Sequence, residues 1–231
     1  CWATLIIEEY VRCGGRYVCI APGSRSSLLT MVASEHEGCD CYTHYDERAL
    51  GFFALGIAKK CQEPVVIITT SGTAVANLYP SVIEAYYSQI PLIVLSADRP
   101  PENHHSGSNQ TMDQDRLFGS YVNLFQRIPV GTESISPTWV LSMMDEAMSV
   151  TKQPKKGPVH LNMMFRVPFF DEKQSFDNYL KPILDWQHSK EPYKQVHDVT
   201  CIASMETTIT LDSKTVAVVG EIATQKEALA I

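Results

Sequence analysis

Two short runs of bulky apolar residues constrain the fold of this chain more than any other feature. Residues 65–69 and 92–95 are almost wholly β-branched or leucine, and they lack the polar alternation of a strand with one face in water. Strands of this kind are covered on both faces. Further short strands are predicted at 17–21 and 159–162, and helix-like segments separate them all. We therefore predict a doubly wound parallel sheet of the α/β class.

Helices are predicted between these strands because apolar residues recur there at helical spacing. One of them is expected to be interrupted or bent at Pro80, since proline cannot continue a helix undisturbed. The predicted helices are residues 2–13, 27–33, 47–60, 73–87 and 139–150.

A change in composition near residue 168 sets the predicted domain boundaries. Residues 1–180 are predicted to form one domain, and the acidic, aromatic and proline-punctuated stretch after it leads into a linker at 181–212. Residues 213–231 are predicted to start a second α/β domain, although they are too few to form a core alone. Because Cys1 already lies within a helical pattern, we expect the natural chain to begin further upstream.

Charge and composition argue against two classes of partner. The net charge is −7 and no lysine- or arginine-rich tract is present, so no nucleic-acid surface is expected. No apolar run approaches the roughly 18 residues of a membrane helix, so no membrane insertion is expected. The seven cysteines form no disulfide-like pattern, which favours thiols in a reducing compartment.

Three loops leave the carboxyl ends of predicted strands, where folds of this class bind ligands. In the first, at 22–27, Ser24 and Arg25 lie just before a helix. Hydroxyl, backbone N–H and guanidinium groups at this position suit a carboxylate or a phosphate. A plain serine cap beside a surface arginine is the alternative.

The second loop, at 70–73, contains Gly72, which would let a ligand approach the backbone closely, and Thr73, which opens a helix. A tight turn with a threonine cap fits this loop equally well. It contains neither the three spaced glycines of a dinucleotide site nor the lysine of a P-loop.

The third loop, at 97–110, is long and polar. Arg99 follows a buried strand directly, which would place its guanidinium at the carboxyl edge of the sheet, and Asn109 and Gln110 offer amide donors. Unstructured loops of this length are usually either functional or disordered.

Glu47 is the sharpest single candidate for a catalytic group. It follows Asp46 and opens an apolar helical run, where burying an unpaired carboxylate would cost several kcal/mol. We predict that Glu47 activates a cofactor. The alternative is an acid that interacts with the helix dipole, which is worth about 0.3–1 kcal/mol.

Six segments occur together in an order that resembles a known enzyme family. The chain resembles the 2-succinyl-5-enolpyruvyl-6-hydroxy-3-cyclohexene-1-carboxylate (SEPHCHC) synthases over about residues 2–170. These are thiamine-diphosphate enzymes of menaquinone and phylloquinone biosynthesis. The segments are PGSRSS (22–27), YDERALG (45–51), TSGTAVANLYP (70–80), ADRPPE (97–102), GSNQ (107–110) and GPVHLN (157–162).

The resemblance implies that the first domain binds the pyrimidine ring of thiamine diphosphate. Glu47 would hydrogen-bond a pyrimidine nitrogen and so promote formation of the reactive cofactor, which requires its carboxyl group to carry a proton. Gly72 and Thr73 would approach the pyrimidine through the backbone.

The same resemblance implies roles in substrate binding. Arg25 and Arg99 would hold substrate carboxylates, while Ser24, Asn109 and Gln110 would orient the substrate or an intermediate. Arg99 and Gln110, together with the glutamate at the helix start, are the expected catalytic residues.

The reaction implied by the resemblance is decarboxylation of 2-oxoglutarate and 1,4-addition of the succinyl carbanion to isochorismate. The enzyme would be a homodimer or homotetramer in the cytoplasm or, alternatively, in a plastid. Mg²⁺ and the cofactor diphosphate would be bound by a C-terminal domain with a glycine-aspartate-glycine motif, which this sequence lacks. No metal ligands are therefore predicted here, and the chain alone is expected to be inactive.

Two other functions stay open. The chain could be a non-catalytic domain that serves in dimerisation or regulation. It could instead belong to another thiamine-diphosphate decarboxylase or carboligase, although the combination of Arg99 with Asn109 and Gln110 argues against this.

Overall fold

The described residues form a six-stranded parallel sheet with helices on both faces, which confirms the predicted fold class. The structure is a computed structural model that describes residues 1–152, 155–169 and 175–194. The strands are β1 (Tyr17–Ile20), β2 (Asp40–Thr43), β3 (Val65–Thr69), β4 (Leu92–Asp98), β5 (Leu124–Ile128) and β6 (Val159–Met164). Their order across the sheet is β2-β1-β3-β4-β6-β5.

The helices are distributed over the two faces of the sheet. They are α1 (Trp2–Arg12), α2 (Ser27–Glu35), α3 (Glu47–Cys61), α4 (Thr73–Asn77), α5 (Tyr79–Tyr87), α6 (Pro137–Lys152), α7 (Asp177–Leu180) and α8 (Leu184–His188), with 3₁₀ turns at Pro101–Asn103 and Lys181–Ile183. Helices α1, α2 and α6 cover one face, and α3, α4 and α5 cover the other. Within the described residues, no helix has both the length and the apolar character needed to cross a membrane.

Strand β3 shows why the apolar runs lack polar alternation. Val66 and Ile68 point into the core beneath α1 and α6, whereas Val65 and Ile67 point into the core beneath α3 and α5. Successive side chains of a strand point to opposite faces. A strand that is covered on both sides therefore tends to carry apolar residues on both faces, as the first four positions of β3 do.

The two edge strands, β2 and β5, were not predicted from the sequence. β2 reads DCYT and is mostly exposed, and β5 includes Gln126 and Arg127. An edge strand has one hydrogen-bonded neighbour and partial cover, so it needs no apolar run. The predicted helix at 73–87 is two helices that meet at Leu78, and Pro80 lies in the first turn of the second.

Residues 177–188 form short helices that pack on the rest of the domain. Ile183 and Trp186 are buried, and Arg12 Nη1 donates to the carbonyl of Trp186 at 2.6 Å. The described part of the predicted linker, 181–194, thus belongs to the same compact unit as the sheet. Residues 195–212 of that linker and the predicted domain at 213–231 lie outside the described residues.

Two buried acids, Glu9 and Asp145, hold residues 177–194, the C-terminal segment of the described chain. Glu9 Oε2 accepts a hydrogen bond from Trp186 Nε1 at 2.5 Å, and its Oε1 accepts one from the Tyr193 N–H at 2.6 Å. Asp145 Oδ2 accepts one from the Lys194 N–H at 3.1 Å. Burial, reinforced by the neighbouring Asp145, raises the pKa of Glu9 to about 8.

The stability of this chain is therefore expected to fall as the pH rises from about 4.5 to 8. The folded protein keeps the Glu9 proton in this window while the unfolded chain releases it, so a higher pH favours unfolding. Thermal melts at several pH values should show this slope, and Glu9→Gln should flatten it, even though the amide loses an acceptor and melts lower overall. Glu146→Gln, on the exposed side of α6, is the control. Equal slopes in the two variants would contradict the assignment.

Candidate functional site

Every candidate site residue follows the carboxyl end of a strand, and the parallel sheet brings these ends to one edge. The chain passes from β1 outward to β2 and then returns to β3 on the other side of β1. β1 and β3 therefore flank the point at which the order reverses, where folds of this class open a crevice. The loops after β1, β3 and β4 surround this point.

Glu47 is the first residue of α3 and is half-buried at this edge. It lines a cavity of about 340 Å³ formed by residues 45–48 and Asn77. Asn77 Nδ2 donates to Glu47 Oε2 at 3.5 Å. The helix itself is capped by the neighbouring Asp46, whose carboxylate accepts from the Ala49 N–H at 2.9 Å. The Glu47 carboxylate is thus not needed as the cap.

Gly72 joins the loops after β3 and β4. Its φ of +80° lies in the left-handed region, and a Cβ at this position would lie 2.9 Å from Gln110 Cγ. Ser71 Oγ donates to the Gln110 carbonyl at 3.0 Å, and Gln110 Nε2 donates to the Ser71 carbonyl at 2.9 Å. The structure therefore brings Gly72 and Gln110 together, as a shared site would require.

The loops after β1 and β3 also meet, at Gly23 and Thr70. A Cβ on Gly23 would lie 2.8 Å from Thr70 Oγ1 and closer still to the Cβ and Cγ2 atoms. Only a hydrogen at this position lets the two loops approach each other at the crevice.

Gly23→Ala is expected to destabilise the domain by about 1–3 kcal/mol, because the added methyl group forces the two loops apart. Urea denaturation would measure the loss. Thr70→Gly removes the atoms that the new Cβ meets, so adding it to Gly23→Ala should cost less than the two single losses combined. Simple additivity would contradict the close approach.

Arg25 and Arg99 form a pair of cations at the same edge. Arg25 is 6% exposed, and its Nη1 donates to the Phe165 carbonyl at 2.8 Å. Burial, followed by the charge of Arg99, lowers the pKa of Arg25, although a guanidinium stays charged at neutral pH. Arg99 Nε is buried and has no hydrogen-bond partner among the described residues. Both features suit an anionic ligand.

The remaining candidate residues lie at the same edge, but no described side-chain hydrogen bond joins them to the candidate residues above. Ser24 and Asn109 are exposed, and Thr73 is exposed at the first position of α4. Their positions leave their side chains open to a ligand.

Sequence reasoning missed a buried polar cluster beneath the site. Ser96 and Asp98 on β4 and His160 and Asn162 on β6 are fully buried, together with Gln114 from the loop before β5. The two strands pair so that Ser96 lies opposite Asn162. Polar residues two apart in otherwise apolar strands share one face of the sheet, and this signal could have revealed the cluster.

The hydrogen bonds of this cluster determine the state of His160. Ser96 Oγ donates its single proton to Asn162 Oδ1 at 2.8 Å, so His160 Nε2, also at 2.8 Å, must donate to Ser96. His160 Nδ1 then carries no proton and has no partner among the described groups. Burial lowers the pKa of His160 to about 3, so the ring is neutral.

The described residues include one group of three side chains that could bind a metal ion: Glu9, Cys13 and Asp145. The Cys13 thiol donates to Asp145 at 3.4 Å, and N–H groups of the C-terminal segment already occupy carboxylate oxygens of the two acids. This group is therefore a structural clamp on α1 and α6.

Comparison with known proteins identifies the family to which this chain belongs. A family model described as the thiamine pyrophosphate enzyme, N-terminal TPP binding domain, matches residues 2–117, about half of the chain. The chain belongs to this family of thiamine-diphosphate enzymes.

Individual relatives confirm the resemblance of the sequence motifs to SEPHCHC synthases. The chain is 48% identical to the SEPHCHC synthase of Shewanella halifaxensis over 196 residues, which are 84% of this chain and 34% of the relative. The SEPHCHC synthase of Aeromonas salmonicida is 47% identical over 83% of the chain and 34% of the relative. That of Psychromonas ingrahamii is 42% identical over the whole chain and 40% of the relative. The chain thus spans between a third and two fifths of the length of these curated relatives.

Proposed function

We propose that this chain is the pyrimidine-binding part of a SEPHCHC synthase. In the natural protein it would contribute to the decarboxylation of 2-oxoglutarate and the 1,4-addition of the succinyl unit to isochorismate, with release of carbon dioxide. The family to which the chain belongs and the names of its relatives support this proposal.

The observation that carries the proposal is the arginine pair. Both substrates are dicarboxylates, and Arg25 and Arg99 are two cations at the carboxyl edge that are close enough to interact electrostatically. A carboxylate would satisfy the buried Nε of Arg99, since an unmade hydrogen bond at a charged donor is costly. A protein with a net charge of −7 needs such local positive points to hold a dianion.

The residues near Glu47 and Gly72 fit the pyrimidine ring of thiamine diphosphate. The Gly72 N–H donates to Gln114 at 2.7 Å, and the Gly72 carbonyl accepts from the Val75 N–H at 3.0 Å, so Gly72 would contribute close packing against the ring. Glu47 would hydrogen-bond a ring nitrogen and orient the ring. The bound cofactor supplies the carbanion chemistry, and the protein supplies placement and electrostatics.

We propose that Mg²⁺ and the cofactor diphosphate are held by residues beyond this chain, in a homodimer or homotetramer in the cytoplasm. The half-exposed Glu47 carboxylate fits a site that another domain completes. Large apolar side chains are exposed on and beside the same helix, and a domain docked there would cover them: Tyr42, Tyr45, Phe52 and Phe53.

The test is an assay of the natural protein that contains this chain, supplied with thiamine diphosphate and Mg²⁺. Carbon dioxide release from 2-oxoglutarate should depend on both the cofactor and isochorismate, and pyruvate should not replace 2-oxoglutarate. Cofactor binding without turnover of isochorismate would favour another thiamine-diphosphate enzyme. If no cofactor binds, the chain is instead a non-catalytic module.

A further inference from the structure

We propose that Gln114 and Asn162 are positioning residues that hold the turn at Gly72 in a set position relative to Arg99. Gly72 lies where we propose cofactor contact, and Arg99 lies where we propose substrate contact, so the inference rests on the proposed function. Neither Gln114 nor Asn162 touches the ligands in this scheme.

Three buried side chains connect the two ends without a gap. The Gly72 N–H donates to Gln114 Oε1 at 2.7 Å, and Gln114 Nε2 donates to Asn162 Oδ1 at 2.8 Å. Asn162 Nδ2 donates to Asp98 Oδ2 at 2.7 Å. The Arg99 N–H donates to Asp98 Oδ1, also at 2.7 Å. Gln114, Asn162 and Asp98 are all 0% exposed.

The backbone groups at the two ends leave each amide a single orientation. The Gly72 N–H requires the oxygen of Gln114, which turns the Gln114 NH₂ group toward Asn162 and requires the oxygen there. The Asn162 NH₂ group then faces the Asp98 carboxylate, which accepts hydrogen bonds from both sides. A flipped amide would leave a buried donor or acceptor unpaired, at a cost of about 1–3 kcal/mol.

Gln114 lies in the long connection between β4 and β5, outside any helix or strand, and it also donates to the Ala97 carbonyl at 3.2 Å. It therefore fastens this connection to the ends of β3 and β4. β4 and β6 are already paired through their backbones, so these side-chain hydrogen bonds are not needed to join the strands. Its particular effect is to link the two loops that carry Gly72 and Arg99.

We call the series of hydrogen bonds from Gly72 through Gln114, Asn162 and Asp98 to Arg99 the relay. Asn162→Asp in the natural protein tests it, because the change keeps the side-chain shape and replaces one hydrogen-bond donor by an acceptor. The new carboxylate would face Asp98, and two adjacent carboxylates must share a proton or repel each other. At pH 8 we expect the Kd for thiamine diphosphate and the KM for 2-oxoglutarate each to rise at least about fivefold. At pH 6 both should recover toward wild type as the pair takes up a proton.

Other charged groups near Asp98 are unchanged in the variant. His104 Nε2 lies 3.8 Å from Asp98 Oδ1, and the charges of Arg25 and Arg127 also act on Asp98. The neutral His160 lies behind Ser96. Their effects are also present in wild type, so the ratio of variant to wild type at each pH isolates the new carboxylate.

Gln114→Glu is the second variant. It keeps the acceptor for the Gly72 N–H but loses the donors to Asn162 and Ala97, so it should raise the same two constants. Gln126→Glu on the edge strand β5 makes the same chemical change at a side chain whose one hydrogen bond among the described residues goes to the Arg127 carbonyl. This control should leave both constants within about twofold of wild type, below the smallest change expected from coupling.

The cofactor Kd, measured by calorimetry without substrate, separates this inference from the proposed function. If wild type binds thiamine diphosphate but does not convert 2-oxoglutarate and isochorismate, the proposed function fails, while a pH-dependent Kd in Asn162→Asp still supports the relay. A folded Asn162→Asp or Gln114→Glu variant with unchanged Kd and KM would overturn the relay. A lower melting temperature without the pH-dependent recovery would also overturn it.

Discussion

Replacing Glu47 with glutamine is expected to lower kcat of the natural protein by about 10²–10⁴-fold, the usual contribution of a side chain that transfers or holds a proton. The amide has the same shape, but it cannot exchange a proton with a pyrimidine nitrogen. The start of α3 should be undisturbed, because Asp46 caps the helix. The melting temperature should therefore stay close to that of wild type while turnover falls.

Glu84→Gln is the matched control for this experiment. Glu84 is exposed on α5 and accepts a hydrogen bond from Ser88 Oγ at 2.8 Å, so the substitution should leave kcat almost unchanged. A Glu47→Gln enzyme with kcat within threefold of wild type would refute the role of Glu47, since a loss of about 100-fold is the smallest expected for such a group.

Arg99→Met is expected to raise the KM for 2-oxoglutarate by about 10²-fold, which corresponds to roughly 2–3 kcal/mol for a buried, charge-assisted hydrogen bond. Methionine keeps much of the side-chain length, and the Arg99 N–H can still bond to Asp98 because that donor belongs to the backbone. Arg25 is the less specific choice, since its guanidinium also binds the Phe165 carbonyl.

Arg16→Met controls for the general loss of positive charge. Arg16 forms an exposed ion pair with Asp40 just before β1, at the opposite, amino edge of the sheet. Its removal should leave the KM unchanged at moderate ionic strength. If Arg99→Met also leaves the KM unchanged, or if the two variants raise it equally, the arginine pair does not bind the substrate carboxylate.

The core of the sheet could be predicted because burial on both faces leaves a local mark. β3 has apolar side chains at each of its first four positions, and the strand was predicted at its observed bounds. β2 carries no such mark, because an edge strand with exposed side chains is held by backbone hydrogen bonds to β1. Backbone pairing is independent of side-chain identity, so local sequence cannot reveal it.

The loops of the candidate site could also be located from the sequence, but their internal partnerships could not. The polar residues that follow buried strands predicted the positions of Arg25, Gly72, Arg99 and Gln110. Their order along the chain does not show that Gly72 touches Gln110, or that Arg99 Nε has no hydrogen-bond partner within the described part of the chain. These contacts depend on the distance between loops that are far apart in sequence.

The sequence by itself determined the parallel sheet, the edge that carries the candidate site and the family of the chain, since each depends on residue type and local order. Only the tertiary structure decided which acid caps α3, which arginine has a buried donor without a partner in the described residues, and how Gln114 reaches Asn162. Those outcomes depend on the pairing of polar groups in a buried space, where each partner is chosen by geometry and by the cost of leaving a donor or acceptor unmatched.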